Sequence, residues 1–132
     1  MVVVDQEKMD YLNELSKKIV NCIYNVHKEL GPGLLERAYQ MSLCRELELC
    51  NLAYESEVMI PLIYKGLNIE SGYRLDVIVE DEIIIELKAV DEIKPVFGSQ
   101  LLTYLRLSNK KLGLLVNFNV SNIGNGIKRV IN

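Results

Sequence analysis

The chain has 132 residues, 49% of them hydrophobic and 25% charged, with a formal net charge of −3. That apolar content is enough for one folded domain over residues 1–132 and excludes intrinsic disorder. The slight acidic excess excludes a protein that coats nucleic acid by bulk positive charge, but not a local grip by a few basic side chains.

Leu12, Leu15, Ile19, Cys22, Ile23, Val26 and Leu30 recur at three- and four-residue spacing, which predicts an amphipathic helix over 6–30. Gly31-Pro32-Gly33 stops it. A second helix is predicted over 34–51, with Leu35, Ala38, Tyr39, Ser42, Leu43, Glu46 and Leu47 along one side and Glu36 in its first turn. The period then changes to two, giving a strand from Val58 to Tyr64 in which Pro61 marks an edge or a ladder break. Lys65 to Asn68 reads as a turn, Ile69 to Val79 as a longer strand, and Glu80-Asp81-Glu82 as a tight polar turn. Ile83 to Val90 is the next strand, and its Ile-Ile-Ile run predicts burial on both faces. Pro95 opens a helix to Ser108, Leu112 to Phe118 is a central strand, and Ile127 to Ile131 a short last one. The order ααβββαββ predicts an α/β fold: two N-terminal helices, a β-meander, and a crossover helix to one or two further strands, with the crossover parallel and right-handed.

Cys22, Cys44 and Cys50 are odd in number and match no zinc spacing. Cys22 and Cys44 read as small core residues, and a reducing cytoplasm is the expected location. Met1-Val2-Val3-Val4 is too short and lacks the basic flank of a signal peptide, and no apolar run approaches the roughly 20 residues needed to span a bilayer.

Asp76, Glu86 and Lys88 are charged residues within apolar strands. Burying an unpaired charge is costly, so each requires a partner. Glu86 and Lys88 leave the same face of their strand. A two-residue turn at Glu80-Asp81 would pair position 76 with 85 and put the two carboxylates on opposite faces. A three-residue turn at 80–82, or a bulge, brings them together. Two adjacent carboxylates make a hard oxygen site suited to Mg²⁺ or Mn²⁺, beside which the Lys88 ammonium could orient water or stabilise charge on phosphate. The bland alternative makes Glu86 and Lys88 a solvated face and Asp76 a strand-end residue.

Beyond residue 25 the chain resembles a known family. Gly33-Leu34-Leu35-Glu36-Arg37-Ala38-Tyr39 matches the signature of the GxxExxY proteins, which belong to the PD-(D/E)XK nuclease superfamily with its restriction-endonuclease-like fold. The match continues through Tyr64-Lys65-Gly66, Tyr73 to Asp76, Ile85 to Val90, Gln100 to Leu105 and Gly113 to Phe118. The resemblance implies that Asp76 and Glu86 are metal-binding carboxylates, that the Leu87 carbonyl is a further ligand, and that Lys88 is the catalytic lysine. It implies that Glu36 joins the metal site directly or through water, and that Gln100 is the glutamine of the following helix. Gln100 and Tyr104 share a helical face, with Tyr104 either a core aromatic or part of the site, while Tyr39 reads as packing. Phe97 stands where the family often carries a histidine. His27, the chain's one histidine, reads as a helix C-terminal residue interacting with the dipole.

Two functions follow as expectations. One is a Mg²⁺- or Mn²⁺-dependent nuclease acting on nucleic acid, DNA ahead of RNA, with Lys65, Arg74, Lys94, Arg106, Lys110 and Lys111 as candidate phosphate contacts. The other is a non-catalytic nucleic-acid-binding or assembly module that keeps the fold, with a homodimer supplying the missing surface. Neither involves a membrane.

Overall fold

The computed structural model describes residues 6–70 and 72–132. The Met1 to Val4 segment lies outside them. Helix α1 spans Gln6–Leu30 and buries Leu12, Leu15, Ile19, Cys22, Ile23 and Val26, the predicted stripe, while Leu30 stays exposed. His27 stands in the last turn, where the sequence places it. Its Nε2 also hydrogen-bonds the Val120 carbonyl at 2.7 Å and ties α1 to the loop beyond the central strand. Helix α2 spans Glu36–Leu49, shorter than predicted at both ends, and buries Tyr39, Leu43 and Leu47. Leu35 caps it from outside and is 82% exposed, so it does not belong to the apolar side. Cys22 is buried and Cys44 partly buried against the same core.

The next region is more divided than its periodicity suggests. Pro61 splits the first predicted strand into β1, Tyr54–Met59, and β2, Leu62–Tyr64. β2 pairs only with β3, Leu67–Ile69, around a tight Lys65-Gly66 turn in which both residues have positive φ. β4, Arg74–Val79, then returns to pair antiparallel with β1. The small β2–β3 hairpin is thus inserted between two neighbours of the main sheet.

β5, Ile83–Lys88, is antiparallel to β4 and parallel to β6, Leu112–Asn117, with helix α3, Pro95–Ser108, as the crossover. A 3-10 turn over Ile123–Gly126 leads to β7, Ile127–Ile131, antiparallel to β6. The five strands run in the order β1-β4-β5-β6-β7. Ile83, Ile84 and Ile85 are fully buried, as a strand covered on both faces requires. On one face Val77, Val79, Ile83, Ile85, Leu87, Leu112, Leu114 and Val116 pack against α1 and α2. On the other, Ile78, Ile84 and Leu115 pack against Leu101, Tyr104 and Leu105 of α3. α3 lies close because β6 offers a glycine there: a Cβ on Gly113 would sit 2.9 Å from Leu101 Cδ1.

Among the described residues no helix is long and apolar enough to cross a membrane.

Candidate functional site

The β4–β5 hairpin has the odd loop that the site demands. Val79 pairs with Ile83, so Glu80, Asp81 and Glu82 form a three-residue loop, with φ of 52° and 54° at Glu80 and Asp81. That register sets Asp76 opposite Glu86. The backbone ladder ends one pair earlier, at Val77 and Ile85. Beyond it the carboxylates take over. The Asp76 N–H donates to Glu86 Oε1 at 3.0 Å, and the Leu87 N–H donates to Asp76 Oδ2 at 2.8 Å. The strand's alternation breaks at the same place: Leu75 packs with the α3-side core although its parity matches Val77.

Glu86 is 5% exposed. Burial, followed by the charge of Asp76, pushes its carboxyl up to about 8. Asp76 is also raised, chiefly by burial, with the Leu87 N–H acting in the opposite direction. The two side chains are near enough to interact directly. Such a pair is costly to ionise fully without a cation.

Lys88 sits at the carboxyl end of β5, where crevices of parallel sheets commonly take ligands. Its Nζ lies 4.5 Å from the centroid of the Phe97 ring, which offers the ammonium a negative π face. The strand end is fixed. The Lys88 carbonyl accepts from the Phe118 N–H at 3.0 Å. The buried Asn117 side chain accepts from the Val90 N–H at 3.1 Å and donates to the Val90 carbonyl at 3.0 Å.

Glu36 is delivered by the loop before α2. Gly33 has φ +100°, a conformation open to glycine at little cost. The Tyr39 hydroxyl donates to the Gly31 carbonyl at 2.6 Å and accepts from the Leu34 N–H at 3.1 Å. Its ring stacks on Phe118 with centroids 4.5 Å apart. In Gly33-Leu34-Leu35-Glu36-Arg37-Ala38-Tyr39, the glycine therefore turns the chain, the glutamate opens the helix, and the tyrosine clamps the loop from inside the core. The Glu36 carboxyl is raised by partial burial and by Asp76, and lowered by Lys88, so it faces the cluster. It does not close on it: among the described residues no three His, Cys, Asp or Glu side chains converge tightly enough to hold a metal ion.

α3 contributes from the other side. Tyr104 is buried, and its hydroxyl is raised by burial and then by the charges of Glu86 and Asp76. Its ring is core, while its hydroxyl meets the Gln100 side chain and lies within the field of the two carboxylates. Asp76, Glu86 and Lys88 thus stand together at the carboxyl end of β5, with Glu36 approaching from α2 and Gln100 from α3.

A profile of the PD-(D/E)XK nuclease superfamily matches residues 13–130. The chain belongs to that superfamily. No curated protein and no solved structure matches it. The two helices, mixed five-stranded sheet and crossover helix of this PD-(D/E)XK protein accord with a nuclease-like fold. Members of the superfamily typically use Mg²⁺.

The sequence does not reveal Glu57. The β1–β4 register puts it opposite Asp76, on the side away from Glu86, with φ 55°. Its charge raises both Asp76 and Glu36, and Gln40 Nε2 donates to its Oε1 at 2.9 Å. Only the strand pairing across the inserted hairpin exposes that neighbour. Tyr73 is the other residue missed; its ring centroid is 6.4 Å from that of Tyr104.

The candidate basic residues do not form one patch. Arg74 precedes Asp76 on β4, and Lys94 is the N-cap of α3 at the Lys88 end. Lys110 pairs with Asp81 at 3.3 Å, at the turn end of the sheet, away from the site. Arg106 and Lys111 lie towards that same end, in the last turn of α3 and just before β6. Lys65 lies over the Tyr64 ring in the β2–β3 hairpin.

Proposed function

We propose that this chain is a GxxExxY-type nuclease that hydrolyses phosphodiester bonds of DNA or RNA with Mg²⁺ or Mn²⁺. The observation that carries the reading is the pair Asp76–Glu86, held on adjacent strands beside Lys88. Two partly desolvated carboxylates in contact form a hard oxygen donor set that a divalent cation suits and a monovalent one neutralises only in part. Asp76 and Glu86 would hold the ion, joined by the Leu87 carbonyl and by Glu36, directly or through water. Bound there, a divalent ion polarises a phosphoryl oxygen and lowers the pKa of a coordinated water.

The chain's own residues do the rest. The Lys88 ammonium orients the attacking water or stabilises charge on the phosphate. The Phe97 ring, 4.5 Å from Lys88 Nζ, restrains that ammonium. Gln100 and Tyr104 offer hydrogen-bonding groups at the α3 wall. Arg74, two residues before Asp76 on β4, and Lys94, at the start of α3, are candidate side chains for phosphate contacts, with DNA as the favoured partner.

The test is cleavage of single-stranded, duplex and branched DNA and RNA with Mg²⁺ or Mn²⁺, together with metal titration by calorimetry. Glu86→Ala should lose both metal binding and cleavage. Lys88→Ala should lose cleavage and keep metal binding. Wild-type protein that neither binds metal nor cleaves any of these substrates would overturn the proposal.

The β2–β3 hairpin favours a second reading, an assembly module. Ile63, Tyr64 and Leu67 are each about 60% exposed there. An apolar surface of that kind suits a homodimer or another protein partner.

A further inference from the structure

We infer that the cleft beside the carboxylate pair receives an unstacked nucleobase, which makes unpaired, single-stranded nucleic acid the substrate class. The inference rests on the nuclease reading above and extends it to what the site recognises.

The cleft measures about 550 Å³ and is lined by Leu62, Tyr73, Val96, Phe97, Gln100 and Tyr104 among others. That volume lies within the usual range for pockets that take small, flat organic groups. Three of its wall residues, Phe97, Gln100 and Tyr104, border the candidate site as well. Phe97 carries the Lys88 ammonium over its ring at 4.5 Å, and the Tyr104 hydroxyl feels the charges of Glu86 and Asp76. Cleft and site therefore share a wall. Whatever fills the cleft while a phosphodiester lies at Lys88 is the neighbouring part of the same strand, its sugar and base. A larger hollow of about 820 Å³, bordered by Met9, Asn13, Tyr24 and Arg129, lies between α1 and β7 and has no such continuity.

The lining chemistry points to a base. The cleft has three aromatic rings and no charged residue among its walls. Tyr73 and Tyr104 have ring centroids 6.4 Å apart and are tilted by 51°, so the two rings are not stacked face to face. Tyr73 is 47% exposed. The hydroxyls of Ser99 and Thr103 already donate to backbone carbonyls of α3, at 3.5 Å and 3.0 Å. Gln100, whose side chain also reaches the Tyr104 hydroxyl, is the one side-chain amide of the wall that could meet a base edge. Recognition of this kind is stacking with little hydrogen-bond readout, which tolerates any base. A base within a duplex keeps its π faces covered by its neighbours and must be extruded before it can enter.

The test is fluorescence anisotropy with three fluorescein-labelled probes: a single-stranded DNA 12-mer, the same strand in duplex, and a 12-mer of abasic deoxyribose phosphates. Binding is read in EDTA with the wild-type lysine, and in Mg²⁺ with Lys88→Ala. The base-bearing single strand should bind roughly tenfold or more tighter than the abasic strand, the size expected of a stacked base. Tyr73→Ala should erase that difference, and Tyr73→Phe should keep it. Val96→Glu, at a 61% exposed position on the cleft's mouth, is a second variant that should weaken single-strand binding without threatening the fold.

Equal binding of abasic and base-bearing strands, or of single strand and duplex, would overturn the inference. So would a homodimer by sedimentation that Tyr73→Ala dissociates, because a second copy would then fill the cleft. Cleavage that persists unchanged in Tyr73→Ala, without base-dependent binding, sinks the base site and leaves the nuclease standing. Base-dependent binding without cleavage of any substrate supports the base site and sinks the nuclease.

Discussion

Asp76 and Glu86 each accept a backbone N–H from the opposite strand just beyond the last β4–β5 pair. Glu86 Oε1 takes the Asp76 N–H at 3.0 Å, and Asp76 Oδ2 takes the Leu87 N–H at 2.8 Å. The strands part where the site begins, and the two side chains bridge the gap. One oxygen of each carboxylate is thereby spoken for by backbone, which fixes both groups before any ligand arrives.

That pair makes the metal-free protein unusually sensitive to alkaline pH. Glu86 is raised from 4.5 to about 8, so between those values the folded state holds a proton that the unfolded state has released. Stability is then full below pH 4.5 as far as this group is concerned, and is lost as pH rises through about 8. Thermal unfolding in EDTA from pH 5 to 9 should show the melting temperature falling, with a flatter profile in Glu86→Gln. At pH 8, Mg²⁺ at ten times its Kd should restore about 1.4 kcal/mol in the wild type and none in Glu86→Ala.

Tyr39→Phe should separate the clamp from the core packing. The ring stack on Phe118 survives, but the Gly31 carbonyl and Leu34 N–H lose their partner. Loss of a part-buried hydroxyl with two hydrogen bonds costs about 1–3 kcal/mol, measurable by urea unfolding. Cleavage should fall further than the lost stability explains, because Glu36 rides on this loop.

Phe97 stands in the place of an expected histidine and has the Lys88 ammonium over its ring. Phe97→Leu keeps an apolar side chain, somewhat smaller, and removes the π face. A contact of this kind contributes about 0.5–2 kcal/mol. The expected result is a loss of roughly 2- to 30-fold in kcat/KM, with Phe97→Tyr close to wild type. An unchanged Phe97→Leu enzyme would show that the ring does not position the lysine.

Gly113→Ala tests the approach of α3 away from the chemistry. The added methyl would meet Leu101 Cδ1 at 2.9 Å in a buried, fully packed contact. Destabilisation of about 1–3 kcal/mol is expected by chemical denaturation. The double variant Gly113→Ala/Leu101→Ala should be less than additive, because the second change makes room for the first.

The sequence by itself determined the three helices, the central strands and the Asp76–Glu86–Lys88 face. Helical and strand periodicity are local, and both α1 and α3 end where Gly31 and Asn109 would stop them. The need to put two carboxylates on one face required an odd loop at Glu80–Glu82, and hairpin register is set by loop length alone. The tertiary structure decided the rest. Pro61 already marks a break in the first strand, but it was the tertiary structure that paired β2 with β3 in place of the main sheet. It placed Glu57 beside Asp76 through a pairing that spans the inserted hairpin. It brought Glu36, Phe97, Gln100 and Tyr104 to the hairpin from α2 and α3. Those meetings depend on which helix covers which face of the sheet, and burial of both faces, rather than any local pattern, sets that choice.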